Sequence, residues 1–357
     1  MEKAAEKFQF EGTPTEFKAF GNGHINRSFF VRTDAGKKYV LQSLSTRAFR
    51  DIPGLMNNVI AVSSYIRNKT GDPRSSLTYI PARDGKNYWM DENGEYWRSY
   101  EFVDNSFSPD APGTAEDFYN SAVAFGTFQN ILSDFPAETL CETLPNFHNT
   151  PDRYRQFHEK LEKDSYDRIK EVPEEIAFAL SREEAAGELE RMRESGELPL
   201  RVTHNDTKLT NVLFDSETKK PVCVIDLDTV MPGLTALDFG DAIRFGASTG
   251  AEDEQDLSKV HFDIEKFRLF AKGFISSCPA LTEAEINSLA LGAKTITIEQ
   301  GVRFLDDYIN GDSYYATSYP KQNLYRTRTQ FKLVSDMEAQ WDEMLRIVSE
   351  EAKKISR

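Results

Sequence analysis

The sequence predicts an α+β protein made of a small β-rich N-terminal lobe and a larger helical C-terminal lobe. Up to about residue 103, short aromatic and β-branched runs alternate with turns rich in Asp, Gly and Asn. Beyond that point, apolar residues recur at helical spacing over long stretches. We therefore divide the chain into an N-terminal lobe, 1–103, and a C-terminal lobe, 104–357.

The N-terminal lobe is expected to contain a β-hairpin pair, one helix and further strands. The hairpins follow from extended runs separated by Gly-containing turns. Apolar residues at helical spacing predict the helix over 53–67. The predicted strands are 17–20, 28–32, 38–42, 77–80, 86–90 and 96–103.

The C-terminal lobe is expected to be helical apart from one pair of strands. Thr114 is the expected N-cap of its first helix, with Glu116 in the first turn. The predicted helical stretches are 114–132, 152–163, 174–195, 264–276, 282–310 and 322–354, with breaks, and the strand pair is 211–215 and 221–226.

Composition excludes several functional classes. The 357 residues include 39% apolar and 12% aromatic residues, which is sufficient for a core. A formal net charge of -15 argues against nucleic-acid binding. No apolar run of membrane-spanning or signal-peptide type is present, and the three cysteines, Cys141, Cys223 and Cys278, form no CxxC motif. We expect a reduced, soluble, cytoplasmic enzyme with a small-molecule substrate, no membrane or nucleic-acid partner, and an oligomeric state that the sequence does not specify.

The strongest chemical pattern lies between residues 203 and 241. His204 and Asp206 precede Asn211, and an apolar strand then leads to Asp226. Phosphoryl transfer needs a carboxylate for the acceptor hydroxyl and hard oxygen ligands for metal ions. Taken singly, an Asp in a loop is more often a cap, and His204 is more often a structural hydrogen-bonding residue. The complete spacing favours the catalytic interpretation.

This loop resembles the catalytic loop of the aminoglycoside phosphotransferase and choline kinase superfamily, which is itself similar to protein kinases. The resemblance implies a two-lobed protein-kinase-like fold, with ATP as phosphoryl donor and Mg²⁺ as cofactor. It implies that Asp206 is the catalytic base and that Asn211 and Asp226 hold the metal. Asp238, in the Asp-Phe-Gly-Asp segment that follows, is expected to fix the loop from behind as a structural residue; capping is the alternative for Asp228 and Asp238.

A glycine-containing segment, Gly21 to Phe29, lies between two predicted strands and resembles the nucleotide-binding loop of these kinases. Glycine lets a backbone approach phosphates closely, whereas a simple hairpin turn is the alternative interpretation. Adenine is expected to bind backbone groups at a hinge near residues 100–102. The residues predicted to bind the nucleotide are Gly21, Asn22, Gly23, Asn26, Gln42, Glu101 and Phe102.

The third predicted strand departs from the superfamily pattern. A Lys or Arg is expected there for the ATP phosphates, but the sequence has Gln42. The next helix offers Asn57 and Asn58 where a partner Glu is expected. The absence of both the strand cation and its partner Glu is electrostatically consistent, because a Glu without that cation would lie unpaired near the phosphates at a high cost in free energy. How the phosphates are neutralised stays open.

Several strings resemble the N-acetylhexosamine 1-kinase branch of the superfamily. They include Gly21 to Asn26, Tyr39 to Gln42, residues 97–100, residues 147–150, and Arg303 to Asp312. The resemblance implies phosphorylation of the anomeric hydroxyl of N-acetylglucosamine or N-acetylgalactosamine. The predicted acceptor-site residues are His24, Arg303, Tyr308 and Asp206. Phe245, Tyr314 and Trp341 are candidates for an aromatic wall, with a core role as the alternative.

Arg303 separates the hypotheses for the acceptor. A guanidinium in the pocket would repel a cationic acceptor and bind a sugar, whereas a salt bridge to Glu299, Asp306 or Asp307 would make it structural. The alternatives are a kinase of the same fold acting on another sugar, choline or an aminoglycoside, and a pseudokinase without turnover. A metal-dependent hydrolase is disfavoured because the usual further metal ligands are missing.

Overall fold

The computed structural model describes residues 1–21, 25–109, 113–163 and 165–355. The strands in chain order are β1 (Pro14–Ala19), β2 (Arg27–Thr33), β3 (Lys38–Leu44), β4 (Tyr79–Ile80), β5 (Trp89–Met90), β6 (Tyr96–Glu101), β7 (Ser106–Phe107), β8 (Arg201–Thr203), β9 (Val212–Asp215), β10 (Pro221–Val224) and β11 (Met231–Gly233). The helices are α1 (Glu2–Ala5), α2 (Ile52–Thr70), α3 (Ala115–Ile131), α4 (Thr150–Lys163), α5 (Pro173–Leu180), α6 (Glu183–Ala186), α7 (Glu188–Glu194), α8 (Thr235–Gly246), α9 (Ile264–Ser277), α10 (Glu283–Ile309), α11 (Gln322–Ala339) and α12 (Trp341–Ile355).

The chain forms two compact units, and both are discontinuous in sequence. The first unit comprises 1–108, 134–145 and 212–232, and the second comprises 109–133, 146–211 and 233–357. The sequence-based division has a single boundary after residue 103. The first unit also takes in the hairpin of β9 and β10, because β9 pairs with β7 in a small sheet of order β10-β9-β7.

The main sheet of the first unit is antiparallel and has the strand order β1-β2-β3-β6-β4, with β5 also paired to β6. Its register places Gln42 of β3 opposite Ser28 of β2 on one side and Arg98 of β6 on the other. Apolar residues of this unit form a core that includes Phe8, Val31, Tyr39, Leu41 and Trp97.

Helix α2 ties the later segments to the first unit. Asp51 caps its N-terminus by accepting from the Gly54 amide at 2.9 Å, and the helix ends at Gly71, whose φ is 69°. The buried Asn58 side chain donates to the carbonyl groups of Cys141 and Val230 at 2.7 and 3.0 Å. Asn58 therefore holds backbone of both later segments, at a position where the kinase pattern would have led us to expect a Glu.

The second unit is organised around the long helix α10, which packs against α8, α11 and α4. Gly292 allows α10 to lie very close to α8, because a Cβ there would come within 2.0 Å of the Ala236 carbonyl oxygen. A Cβ at Gly240 would likewise come within 2.5 Å of the Gly292 carbonyl oxygen. The two helices thus approach through glycine backbones.

The structure confirms the predicted α+β class, with a β-sheet N-terminal region and a helical C-terminal region. Helix α8 and strand β8 were not predicted, and the stretch expected to be helical over 322–354 is divided between α11 and α12. All three cysteines are free thiols. Within the described residues, no helix is long and apolar enough to cross a bilayer.

Candidate active site

The loop from Thr203 to Asn211, called here the 203–211 loop, is fixed by the N-terminal half of α8. The Asp238 carboxylate accepts from the amides of His204 and Asn205, both at 2.7 Å. It also accepts from Gln129 Nε2 at 2.7 Å. Burial raises the pKa of Asp238, although these donors favour its charged form. Its hydrogen bonds correspond to the structural role that we expected for this residue.

Helix α8 also holds the loop just after Asp206. The Thr207 amide donates to Asp241 Oδ2 at 3.0 Å, and the Thr207 hydroxyl donates to the Asp238 carbonyl at 2.6 Å. Asp241 is itself paired with Arg244 at 3.1 Å. The backbone is therefore anchored on both sides of Asp206, and the position of that carboxylate is set by the neighbouring helix.

Asp206 is partly exposed and ion-paired. Lys208 Nζ lies 2.7 Å from Asp206 Oδ1, and the two side chains are 40% and 28% exposed. Burial alone would raise the pKa of Asp206, but Lys208, His204 and Arg244 outweigh it and the pKa lies below its usual value. The carboxylate is therefore ionised over the neutral range, as a group that accepts a hydroxyl proton must be.

Lys208 is a functional candidate that the sequence analysis missed. It combines its ion pair to Asp206 with a cation–π contact, in which Nζ lies 5.2 Å from the Phe245 ring centroid. The sequence does place Lys208 two residues after Asp206. Spacing alone does not show where a side chain points within a loop, so the ion pair could not be predicted. Phe245, a candidate aromatic-wall residue, is thus a neighbour of the loop lysine.

His204 has a structural environment. The residue is fully buried, and its Nδ1 accepts from the Asp206 amide at 3.2 Å. Its ring packs edge-on against Phe125 and Phe128. These contacts support the structural interpretation of His204 and stabilise the turn that carries Asp206.

Asn211 is oriented by the loop itself. Its side-chain amide nitrogen donates to the Asp206 carbonyl at 2.9 Å and to Asp206 Oδ2 at 3.2 Å. These bonds use the nitrogen and leave the amide oxygen for another partner. An amide oxygen is a ligand type that suits Mg²⁺.

Asp226 lies in the first unit, at the end of the segment that follows β10. It is exposed, and its backbone adopts a left-handed conformation with φ 61° and ψ 54°. Such a conformation is uncommon outside glycine and is found disproportionately at functional sites. The described residues contain no cluster of three or more His, Cys, Asp or Glu side chains suited to a metal. A carboxylate oxygen such as that of Asp226 is, like the amide oxygen of Asn211, a ligand type that suits Mg²⁺.

Arg303 lies in the second unit among aromatic rings and other cations. Its guanidinium carbon is 5.2 Å from the Phe147 ring centroid and 5.9 Å from that of Tyr315, and its Nη1 donates to Gln300 Oε1 at 3.1 Å. In the described part of the chain, no carboxylate forms an ion pair with it, so the structural salt bridge considered above is not formed. Gln300 also donates to the Tyr315 hydroxyl at 2.9 Å.

Two further arginines and one carboxylate, Glu299, act electrostatically on the surroundings of Arg303. The pKa of Arg153 is lowered, first by burial and then by the charge of Arg303. Arg244 also acts on Arg303, and it acts on Asp206 as well. Glu299 acts in the opposite direction and raises the pKa of Arg303, so the charged neighbours of this guanidinium are of both signs.

A buried carboxylate connects this region to the 203–211 loop. Glu299 is fully buried, accepts from the Thr150 hydroxyl at 2.6 Å and pairs with His148 Nδ1 at 2.9 Å. The other ring nitrogen of His148 lies 3.4 Å from the Asn205 carbonyl oxygen. Phe147, which flanks Arg303, is adjacent to His148 in sequence. The segment 147–150 thus links the surroundings of Arg303 to the loop that carries Asp206.

Tyr308 occupies a different environment from the one expected. It is 2% exposed within the core of the second unit, and its hydroxyl donates to Glu171 at 2.9 Å. Arg168 covers its ring at 4.8 Å. Both the ring and the hydroxyl are engaged in packing, and the aromatic neighbours of Arg303 are Phe147 and Tyr315 instead.

The predicted nucleotide residues are only partly described. Asn22, Gly23 and His24 lie outside the described residues. Gly21 has a φ of 76°, a left-handed conformation that favours glycine and fits the predicted turn. The side-chain amide of Asn26 donates to Asp228 at 2.6 Å, and that of Gln42 donates to Ser28 at 2.9 Å. Both amides are therefore engaged within the first unit.

The expected hinge shows which backbone groups remain for a ligand. The amides of Glu101 and Phe102 donate to the Thr78 and Lys38 carbonyls at 2.9 and 3.0 Å, so neither is available to adenine. The next amide, that of Val103, has no hydrogen-bond partner within the described ranges. Val103 is accordingly a better candidate than Glu101 or Phe102 for a donor to the base.

A model of the phosphotransferase enzyme family, APH, matches residues 16–270. The chain belongs to this family. The match includes the 203–211 loop, Asp226 and helix α8, and it confirms the resemblance to the aminoglycoside phosphotransferase and choline kinase superfamily.

Solved structures of kinases share the fold of this phosphotransferase at low sequence identity. A microcompartment-associated aminopropanol kinase matches with a TM-score of 0.64 and 16% identity, over 97% of this chain and 98% of its own. An amicoumacin kinase in complex with AMP-PNP, Ca²⁺ and its antibiotic matches with a TM-score of 0.60 and 12% identity, over 95% and 92%. A choline kinase from Cryptosporidium parvum matches with a TM-score of 0.53 and 14% identity, over 94% and 92%.

Proposed function

We propose that this phosphotransferase is an ATP-dependent, Mg²⁺-dependent kinase that converts an N-acetylhexosamine to its 1-phosphate. Arg303 is the observation that carries the acceptor assignment. Its guanidinium forms no ion pair with a carboxylate of the described residues, contacts the rings of Phe147 and Tyr315, and has Glu299, Arg153 and Arg244 as electrostatic neighbours. Aminopropanol and choline, the acceptors named for two of the similar structures, are cations at neutral pH, and a guanidinium in the acceptor pocket would repel them.

A neutral sugar fits the same surroundings. A guanidinium can donate to hydroxyl and acetamide oxygens, and aromatic faces can cover the apolar face of a sugar ring. The N-acetylhexosamine assignment within the sugars rests on the strings that resemble the 1-kinase branch, two of which lie in this region. The string at residues 147–150 includes Phe147, and its His148 and Thr150 contact Glu299. The other string, Arg303 to Asp312, begins with the arginine itself.

In the proposed reaction, the anomeric oxygen forms a bond to the γ-phosphorus of ATP while the bond to the β–γ bridging oxygen breaks. The sugar hydroxyl proton passes to Asp206, and ADP leaves. Asp206 is assigned as the base because its carboxylate is ionised and its backbone is fixed on both sides by α8. Lys208 is assigned to hold that carboxylate in place.

Asn211 and Asp226 are assigned to hold Mg²⁺. Val212, which follows Asn211, pairs with Val224 of β10, two residues before Asp226. When bound, Mg²⁺ offsets the charge of the phosphate oxygens. AMP-PNP and a divalent ion in the similar amicoumacin kinase support a nucleoside triphosphate and a metal as cofactors.

The test is ADP release from ATP and Mg²⁺ with a panel of acceptors: N-acetylglucosamine, N-acetylgalactosamine, glucose, galactose, choline and kanamycin. Turnover with an N-acetylhexosamine, abolished when the anomeric hydroxyl is blocked as a methyl glycoside, is the expected result. Turnover with choline or kanamycin alone would keep the kinase and overturn the acceptor. ATP binding without turnover of any acceptor would favour a pseudokinase.

A variant pair connects the panel to Arg303. Arg303→Met should raise KM for the sugar about 10- to 100-fold, the loss expected for one or two hydrogen bonds from a charged donor, with KM for ATP unchanged. Arg328→Met is the matched control, because Arg328 is partly exposed and pairs with Glu175 at 2.6 Å. Equal effects of the two substitutions on the sugar KM would remove Arg303 from the acceptor site.

A further inference from the structure

Arg98 is a buried cation in the first unit. It is 1% exposed and lies on β6 directly opposite Gln42 of β3. Its Nε donates to Gln42 Oε1 at 2.8 Å, and Gln42 in turn donates to Ser28. Gln42 occupies the position where the superfamily pattern calls for a cation, and the structure places a cation in contact with that position from the neighbouring strand.

The other arm of Arg98 reaches the segment that carries the proposed metal ligand. Nη1 donates to Asp228 Oδ1 at 2.5 Å, and Asp228 Oδ2 accepts from Asn26 at 2.6 Å. Asp228 is two residues beyond Asp226. The pKa of Tyr100 is raised, first by burial, and the charges of Arg98 and Asp226 both act on it. The guanidinium therefore stands beside Gln42 and, through Asp228, beside Asn26, two of the predicted nucleotide residues.

Stability alone does not explain this arrangement. Burial of an ion pair costs several kcal/mol in desolvation, and well-packed apolar residues often serve stability as well or better. Arg98 has five N–H donors, yet its hydrogen bonds to the described residues all come from Nε and Nη1. The Nη2 amino group makes none to the described residues. Its N–H donors are therefore available to a ligand.

We propose that Arg98 takes the place of the cation missing from β3, and that its Nη2 group binds the phosphates of the nucleotide. This inference rests on the proposed kinase function. Asp228 then keeps the guanidinium in place and Gln42 orients it, so Gln42 acts on Arg98 rather than on the nucleotide. Lys38 and Arg27 are less suitable, because their side chains are 33% and 66% exposed, whereas that of Arg98 is 2% exposed.

The test compares ATP with adenosine, measured by calorimetry in EDTA so that a metal ion does not contribute. The double substitution Arg98→Met with Asp228→Asn removes both charges and leaves no buried ion unpaired. We expect Kd for ATP to rise about 10-fold or more and Kd for adenosine to stay within about 2-fold. Adding Gln42→Lys to this background restores the cation from β3 and should recover most of the ATP affinity.

Arg32→Met is the control, because Arg32 is an exposed β2 residue paired with Glu16; it should not change the ratio of the two constants. An unchanged ATP-to-adenosine ratio in the double variant would overturn the inference and make Arg98 and Asp228 a structural pair.

Should the double variant fail to fold, nitrogen-15 NMR of the wild-type arginine side chains decides. ATP, but not adenosine, should shift the Arg98 signal, assigned by its loss in Arg98→Lys, and an unmoved signal at ATP saturation overturns the inference. Wild-type protein that binds no ATP would overturn the proposed function itself.

Discussion

Substitution of Asp238 by alanine should release the 203–211 loop from helix α8. Three buried donors, the amides of His204 and Asn205 and the side chain of Gln129, lose their acceptor in this variant. A buried hydrogen bond to a charged group contributes about 1.5–3 kcal/mol. Removing the carboxylate also removes the cost of burying it, which is the cost that raises its pKa. We therefore expect a net loss of about 3–5 kcal/mol in the free energy of unfolding of the second unit.

Hydrogen exchange measured by mass spectrometry is the appropriate assay, because two compact units need not unfold in one transition. The peptide covering 201–211 should lose protection in Asp238→Ala, and urea unfolding gives the accompanying change in stability. Asp263→Ala is the control. Asp263 also accepts two backbone amides, of Glu265 and Lys266, but at the N-terminus of α9, where loss of a cap costs about 1 kcal/mol. Equal losses in the two variants, or unchanged protection of the loop, would refute the reasoning.

Asp206→Asn should leave the fold intact and reduce kcat by about a thousandfold or more, because the base and its charge are lost together; substantial activity in a steady-state assay would exclude Asp206 as the base. Lys208→Met should move the acid limb of the pH dependence of kcat/KM to higher pH, because Lys208 lowers the pKa of Asp206 and only the ionised carboxylate accepts the proton; an unmoved limb would contradict the ion pair. Gly292→Ala should destabilise the second unit by several kcal/mol in thermal unfolding, because the added Cβ would meet the backbone of α8. Gly71→Ala is the control and should cost only about 1 kcal/mol, because its Cβ meets no atom and only the φ of 69° is unfavourable.

The parts of the site that sequence could predict are those fixed by local spacing. Asp206 and Asn211 share one loop, and their hydrogen bonds span five residues. The long helix α10 was predicted within one residue at each end, because its Thr282 cap is a local signal.

The parts that escaped prediction depend on contacts between distant segments. Helix α8 was missed because Asp238, Asp241 and Arg244 are buried in it, so its buried side does not appear as a run of apolar residues at helical spacing. The contact of Arg98 with Gln42 depends on the register of β3 and β6, which are separated by the whole of α2. The hydrogen bond of Tyr308 to Glu171 depends on the side of α10 that faces Glu171, which is set by tertiary packing.

The discontinuity of the first unit has a consequence during synthesis on the ribosome. Strand β7 cannot find its partner β9 until about a hundred further residues have been made, which takes roughly 5–20 s at ordinary elongation rates. Throughout that interval the main sheet lacks Asp228, the partner of the buried Arg98, and lacks the Val230 carbonyl that Asn58 holds. A nascent chain stalled or cleaved before residue 228 would carry an unpaired buried cation, which gives quality-control proteases a means to distinguish incomplete chains from finished ones.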